Sequence, residues 1–403
     1  MARTVKMIMV AIGADASSGA SQNNKFYDMF DTEDGKFRAE YGRVGTSPQK
    51  RVYPIGQWQE KYNEKLKKGY KDISGLYVEN TSSSTEFLDI PDLQIKLLIS
   101  RLQAYAKKEV ATFYNISADK VTQKQVDEAQ SILNSLLTAK DSDTSNKILI
   151  ELYKVIPRKM NDVRVHLIGD FKQFDLDRII AKEQALLDTM AGQVKQAELI
   201  KENIDSDLTI LDAMGLSMAN ITSDEESIVK SKLGEIKHMY SNAFKVTNKR
   251  TQKIFDDFVS ASENKKTELF FHGSRNENWI SILETGLILR PTNAVISGKM
   301  FGYGTYFADK AKKSLGYTSS RGSYWAKGSS DEAYMSLFDV HLGNPLHVKR
   351  RESWMGSLNE AQLKAKGQYD SLFAEGGIDL VNNEYIIYRE EQSTVKFLIQ
   401  LKG

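Results

Sequence analysis

No cysteine occurs among the 403 residues, which excludes disulfides, thiol catalysis and cysteine-ligated zinc from this chain. A cysteine-bearing zinc finger would have to come from another polypeptide. Histidine is scarce too, with His166, His238, His272, His341 and His347 all too far apart for a helical zinc motif, so no metal is expected. Long apolar runs are missing. Nothing approaches the roughly 18 consecutive apolar residues of a membrane span, and no membrane partner is expected. Arg3 and Lys6 before the apolar run 7–12 imitate a secretory leader, but six residues fall short of the roughly 7–15 such a leader needs. That run reads as a buried strand. No G-x-G-x-x-G follows a strand-like segment, which argues against a Rossmann dehydrogenase.

What is present is the composition of a globular chain with two or three cores, 41% apolar and 27% charged. The net charge of +2 conceals an uneven distribution: residues 36–71 hold ten Lys or Arg against three Glu, an excess of seven positive charges. A basic module therefore sits near the N-terminus. Residues 7–12, 25–31 and 36–44 read as strands, with a Thr-Glu-Asp-Gly turn at 32–35, and 57–68 reads as a basic helix. Residues 80–90, rich in Ser and Thr, read as a linker before Pro91, a residue suited to a helix's first turn.

From Asp92 the apolar positions Leu93, Leu97, Leu98, Leu102 and Tyr105 keep helical spacing, and Thr122-x-x-Gln125 forms a capping box before a second helix. Helical patterns continue over 145–156, stopped by Pro157, and over 172–200. These make an all-α bundle. Ser223-x-x-Glu226 reads as the cap of one more helix, after which strand patterns take over. In the last of them Val395, Phe397, Ile399 and Leu401 alternate with mostly polar neighbours, as on a strand with one buried face.

Three segments in the C-terminal half carry chemistry. Residues 269–275 read Leu-Phe-Phe-His-Gly-Ser-Arg, residues 300–309 read Met-Phe-Gly-Tyr-Gly-Thr-Tyr-Phe-Ala-Asp, and residues 382–388 read Asn-Asn-Glu-Tyr-Ile-Ile-Tyr. In order and spacing they resemble the signatures of the poly(ADP-ribose) polymerase catalytic domain. The resemblance runs from about Asp207 to the last residue.

It implies a substrate, NAD+, whose nicotinamide–ribose bond breaks with an oxocarbenium-like cation developing at the ribose, so an anion is needed beside it. By resemblance Glu384 is that anion, holding the ribose 2′-hydroxyl and polarising the acceptor. His272 would hold a ribose hydroxyl, and Tyr306 and Tyr317 would sandwich the nicotinamide. Gly273, lacking a Cβ, would let main-chain groups approach the carboxamide, and Ser314 would add a hydrogen bond. Ser274 and Asn278 match pocket-lining positions, and Lys313 matches a basic residue on the acceptor side. Two positions depart from the pattern. Ile288 replaces an arginine expected to contact the adenosine side, with Arg290 two residues later as its candidate substitute, and Lys299 stands where an aromatic is common.

Upstream, Tyr41-Gly42-Arg43-Val44-Gly45-Thr46 resembles the WGR module of DNA-dependent members of the family, with Tyr in place of the leading Trp. The resemblance implies that Tyr41, Arg43, Lys50 and Arg51 bind DNA. The helical bundle resembles the family's regulatory domain, notably over residues 125–133 and 151–157. The expected organisation is α+β and multidomain: a small β-rich WGR-like module at 1–79, a linker at 80–90, an all-α regulatory bundle at 91–200 and a mixed α/β catalytic domain at 201–403. The expected activity is DNA-dependent ADP-ribosyl transfer to protein acceptors, the enzyme itself included, with polymer elongation and a role in the response to DNA damage. The expected activator is DNA with breaks or nicks. Single ADP-ribose transfer and a catalytically silent DNA-binding scaffold remain as alternatives. Location follows source: nuclear in a eukaryote, cytoplasmic or nucleoid-associated in a bacterium.

Overall fold

The computed structural model describes residues 3–13, 22–76, 87–202, 207–289, 300–320, 322–323, 326–327 and 330–403. The chain divides into two compact units, one formed by residues 1–82 and 107–198 and the other by 83–106 and 199–403. The cut at 82/83 falls within the expected linker 80–90 and that at 198/199 beside the expected 200, whereas the cut at 106/107 lies inside the expected bundle. No helix among the described residues is long and apolar enough to cross a membrane.

The first unit opens with β1 (Thr4–Ile12), β2 (Gln22–Asp31), β3 (Lys36–Arg43) and β4 (Gln49–Pro54), followed by α1 (Trp58–Lys67) and the two-residue β5 (Lys71–Asp72). They form an antiparallel sheet in the order β4-β3-β2-β1-β5. The run 7–12, read as a buried strand, is the latter part of β1, a central strand buried for most of its length. Tyr27, Phe37 and Trp58 lead one core of this sheet, with Phe37 edge-on to Trp58. The β2–β3 turn uses Gly35 at φ +80°, a conformation open to glycine.

The helical part follows. α2 spans Leu93–Phe113, and its residues are shared between the two units at Ala106/Lys107. Asp92, one residue after Pro91, caps it, its Oδ1 accepting from the Gln94 and Ile95 amides at 2.8 and 3.0 Å. α3 (Gln123–Ser135) starts at the expected Thr122–Gln125 capping box, α4 (Ser142–Val155) stops before Pro157, and α5 (Gln173–Glu202) runs for eight turns. The inner face of α5 is unusually polar: Glu183, Gln184, Thr189, Gln193 and Gln196 are all buried. Glu183 forms a buried ion pair with Arg158, whose guanidinium also lies over the Tyr114 ring. Within this unit the segment after α4 is fastened to the sheet. Asn24 Nδ2 donates to Arg158 O at 3.0 Å, and the Val163 amide donates to Gln22 Oε1 at 2.6 Å.

The second unit adds α6 (Ile210–Ala213), β6 (Leu216–Asn220), α7 (Ser223–Leu233), β7 (Tyr240–Asn248), α8 (Lys249–Ala261), β8 (Glu268–Gly273), α9 (Trp279–Thr285), β9 (Thr305–Phe307), α10 (Ala311–Leu315), β10 (Gly322–Ser323), β11 (Ala326–Lys327), β12 (Glu332–Val340), β13 (Pro345–Val348), α11 (Glu360–Gly367), β14 (Ser371–Ala374), β15 (Glu384–Ile387) and β16 (Ser393–Lys402). Two sheets organise it, a five-stranded one in the order β6-β7-β16-β12-β8 and a four-stranded one in the order β13-β14-β15-β9. Phe271 and Ala308 exchange main-chain hydrogen bonds of 2.8 and 3.0 Å, joining the edge strand β8 of the large sheet to the end of β9 in the small one.

Three expectations change. α7 is capped one residue earlier than read, by Thr222 with Glu225, because both four-residue frames fit and Thr222 is the residue in extended conformation. In α2 the buried stripe is Ile95, Leu98, Ile99, Leu102 and Ala106, whereas Leu93 and Leu97 are 66% and 53% exposed. In β16 a register shift opposite Leu337/Phe338 places Val395 with Leu398 in one core and Phe397, Ile399 and Leu401 in another. The strand lies between β7 and β12, buried on both faces, so strict alternation misread it.

Candidate active site

The motif residues meet where the two sheets join. β15 pairs with β9 antiparallel, Ile386 opposite Tyr306. Glu384, two residues before Ile386, therefore shares a sheet face with Tyr306 and lies diagonally from it. The Tyr306 ring is fixed at its far end: its hydroxyl donates to Gly302 O at 3.0 Å and accepts from the Phe301 amide at 3.1 Å. Gly302 is at φ +78°, and a Cβ there would lie 2.1 Å from Leu358 O. The glycine pair of this motif thus serves close packing, since a Cβ on Gly304 would meet Ile386 Cγ2 at 2.3 Å. Burial, with the Glu384 charge adding to it, raises the Tyr306 phenol far above the usual range, so the ring stays a neutral wall.

His272 ends β8 beside this strand pair. Its Nδ1 lies 3.1 Å from Tyr306 O, and a carbonyl only accepts, so Nδ1 carries the proton. Nε2 is left as an acceptor suited to a hydroxyl. Burial pushes the imidazole pKa below its ordinary value, which favours this neutral tautomer. Phe307 and Phe338 hold the ring edge-on.

Glu384 is 8% exposed and forms an ion pair with Lys313 on α10. Burial lowers the Lys313 pKa, and the neighbouring Glu384 carboxylate opposes that shift. Lys313 Nζ also donates to Asn383 O at 3.3 Å. Ser314 is buried on the same short helix, and Tyr317 follows it, 52% exposed, its amide donating to Ser314 O at 3.1 Å. A Cβ on Gly273 would lie 2.0 Å from that same Ser314 O. The need for glycine at 273 therefore includes the close seat of α10 on β8, a reason that the spacing of the motif did not reveal. Asn278 Nδ2 donates to Ser274 Oγ at 3.0 Å, so the two expected pocket-lining residues hold one another.

Arg290 and Lys299 lie outside the described residues. Ile288, in the place of the expected arginine, is exposed. Two motif residues to which sequence reading gave no role are prominent in the geometry. Asp309 Oδ2 accepts from Asn383 Nδ2 at 2.8 Å, linking the end of one motif to the start of another.

The N-terminal candidates belong to the first unit. Tyr41 stacks on Tyr27 with ring centroids 5.7 Å apart, Lys50 pairs with Glu40 at 3.2 Å, and Arg51 lies over the Tyr53 ring. Arg43 donates to two carbonyl oxygens of the same unit, Met160 O at 3.2 Å and Asn161 O.

A family model described as the poly(ADP-ribose) polymerase catalytic domain matches residues 223–403. The chain is 31% identical to the poly [ADP-ribose] polymerase-like protein 100L of Invertebrate iridescent virus 6 over 46% of its own length and 99% of the relative's. It is 32% identical to the uncharacterized protein 101L of the same virus over 44% of this chain and 74% of that one. Poly [ADP-ribose] polymerase 2-B of Oryza sativa subsp. japonica is more distant, at 25%, but aligns over 94% of this chain and 70% of its own. The matched region holds the strands that bring Glu384, His272 and Tyr306 together, and the chain belongs to the poly(ADP-ribose) polymerase family and is an NAD+ ADP-ribosyltransferase.

Proposed function

We propose that this protein transfers ADP-ribose from NAD+ to protein acceptors, itself included, and elongates the product into poly(ADP-ribose). The observation that carries the reading is Glu384, a nearly buried carboxylate at the start of β15, on the face it shares with Tyr306 and held by Lys313. NAD+ supplies the ADP-ribosyl group and, in nicotinamide, the leaving group. The donor set fits such a substrate: a hydroxyl acceptor at His272 Nε2, rings at Tyr306 and Tyr317, and the Glu384 carboxylate paired with a lysine.

In this reading His272 Nε2 orients a ribose hydroxyl, while Tyr306 and Tyr317 face the nicotinamide ring. Gly273, Ser274, Asn278 and Ser314 line its pocket. The Glu384 carboxylate stabilises the positive charge that develops at the ribose and orients the attacking acceptor hydroxyl or carboxylate. A preorganised carboxylate, shielded from water, does this without reorganising during the reaction. Lys313 holds it in place and faces the acceptor side. With Ile288 at the usual arginine position, the adenosine end relies on contacts of a different kind, for which Arg290 is the candidate.

The reading extends upstream. The sheet carrying Tyr41, Arg43, Lys50 and Arg51 is a WGR-like DNA sensor, activated by breaks or nicks, and the helices after it restrain NAD+ entry until DNA binds. The basic excess over residues 36–71 supports it. Incubation with labelled NAD+, with and without nicked DNA, tests the whole. A DNA-stimulated ladder of modified protein is expected; a sharp band means single transfer, and the absence of label leaves a DNA-binding scaffold.

A further inference from the structure

We propose that Asp309 and Asn383 form a latch that positions Glu384 for the reaction, with Asp309 also holding Lys313 on that glutamate. The proposal rests on the reading of Glu384 as the catalytic anion. Neither latch residue touches substrate in it.

Asn383 is the residue immediately before Glu384, and it is pinned at three points. Its Nδ2 donates to Asp309 Oδ2 at 2.8 Å, its Oδ1 accepts from the Gly376 amide at 2.9 Å, and its main-chain oxygen accepts from Lys313 Nζ at 3.3 Å. Gly376 lies so close that a Cβ there would come within 2.8 Å of Asn382 C. The loop from 376 to 383 is thereby closed on itself, and its exit into β15 is fixed in direction.

Asp309 reaches this loop from the other strand. It follows Ala308, whose main chain is bonded to Phe271 beside His272, and comes three residues after Tyr306. Its Oδ2 also accepts from the Tyr385 hydroxyl at 3.4 Å, so the residues on both sides of Glu384 lean on one carboxylate. Its Oδ1 is buried with no hydrogen-bond partner among the described residues. The nearby cation on which this carboxylate acts is Lys313. Lys313 is faced by two carboxylates, Glu384 and Asp309, and burial weakens its proton while both of them strengthen it. Asp309 thus acts twice, through a hydrogen bond on the chain entering Glu384 and through charge on the lysine holding it.

The test is kinetic, in the full chain, with labelled NAD+ and automodification as readout and thermal melting as the control for folding. Asp309→Ala and Asn383→Asp should each lower kcat about 10–100-fold with KM for NAD+ within about threefold, the pattern of a misplaced catalytic group. The exchanged pair Asp309→Asn with Asn383→Asp restores a donor opposite an acceptor and should recover most of the lost rate. Asp309→Asn alone should move the alkaline limb of kcat to lower pH, because Lys313 loses one of its two anionic neighbours; a purely structural residue would leave that limb in place. Single variants at wild-type kcat, or an exchanged pair no better than the worse single, overturn the latch. Glu384→Gln separates the two ideas: should it keep full rate, the reading of Glu384 fails, whereas if it loses rate while Asp309→Ala does not, only the latch fails. In the Glu384→Gln background Asp309→Ala should add almost nothing.

Discussion

Arg101 Nη1 lies 2.6 Å from Glu332 Oε1, tying the first half of α2 to the opening residue of β12. Tyr105, one turn further along α2, donates its hydroxyl to the other oxygen of the same carboxylate at 2.9 Å, and Gln400 of β16 adds a third donor. Glu332 O in turn accepts from Asn276 Nδ2 at 2.9 Å, within the segment that carries Ser274 and Asn278. The first turns of the helical region are part of the transferase unit.

Removal of residues 91–200 should therefore unfold the catalytic unit rather than release it. Ile95, Leu98, Ile99 and Leu102 would leave their core, at about 1.5–3 kcal/mol each, against a typical total stability of about 5–15 kcal/mol. A polypeptide of residues 83–106 joined by a flexible linker to 199–403 keeps these contacts. It should be soluble, melt cooperatively and, if the bundle restrains NAD+ entry, turn over NAD+ without DNA. Thermal melting and NAD+ consumption of both deletions check the expectation.

Glu384→Gln should keep NAD+ binding, because the amide preserves shape and one hydroxyl contact, but lower transfer by about 10²–10³, the usual cost of losing one preorganised electrostatic contact. Calorimetric NAD+ titration beside single-turnover transfer separates the two quantities.

The acid limb of kcat/KM for NAD+ should lie below the ordinary imidazole pKa of about 6.5. His272 is pushed down by burial, so Nε2 remains an acceptor until the pH falls past that lowered value. Stability follows the same sign. The unfolded chain takes up the proton first, so stability falls as pH drops through about 6.5 towards the folded value, and His272→Asn should remove this part of the acid sensitivity. Melting temperatures from about pH 5 to 8 for both proteins provide the measurement.

Arg43→Ala should lower the stability of the first unit by about 1–2 kcal/mol, through loss of its bonds to Met160 O and Asn161 O. Lys50→Ala and Arg51→Ala, exposed on β4, should leave melting nearly unchanged while weakening DNA binding and its salt dependence. Melting curves and DNA titrations at several salt concentrations distinguish a sensor residue from a fastening one.

Gly273→Ala should abolish transfer and destabilise the catalytic unit, because the new methyl would overlap Ser314 O and drive α10, with Lys313 and Ser314, off β8. Melting and NAD+ binding of this variant should fall together.

These cases show what a one-dimensional reading reaches. Thr122 and Gln125 were legible as a cap because both partners lie within one turn. At the next cap two overlapping frames, Thr222 to Glu225 and Ser223 to Glu226, satisfy the same rule, and only backbone conformation chooses between them. Helical spacing revealed α2 but could not say that Leu93 and Leu97 face solvent while Ile95 and Leu98 face a sheet, since a sequence does not name the partner of a face. The bulge in β16 was invisible for a related reason: a strand buried on both sides no longer alternates. His272, Tyr306 and Glu384 were found through their motifs. The hydrogen bond from Asn383 to Asp309 spans 74 residues, and no spacing rule predicts it.

The small sheet carries one more consequence. Tyr385, beside Glu384, is stacked between Phe270 and Phe373 at centroid distances of 4.2 and 4.9 Å, and Phe373 is stacked on His347 at 4.8 Å. These four rings start on β8 of the large sheet and cross β15 and β14 to end on β13, like a rivet through both sheets. Sliding one sheet over the other would break the Phe270–Tyr385 stack together with the main-chain bonds between Phe271 and Ala308, so ring and backbone contacts fasten the two sheets at the same place. The strand that opens with Glu384 is thereby clamped from both sides, by Phe270 of the large sheet and Phe373 of the small one, so a change in either ring would be felt at Glu384.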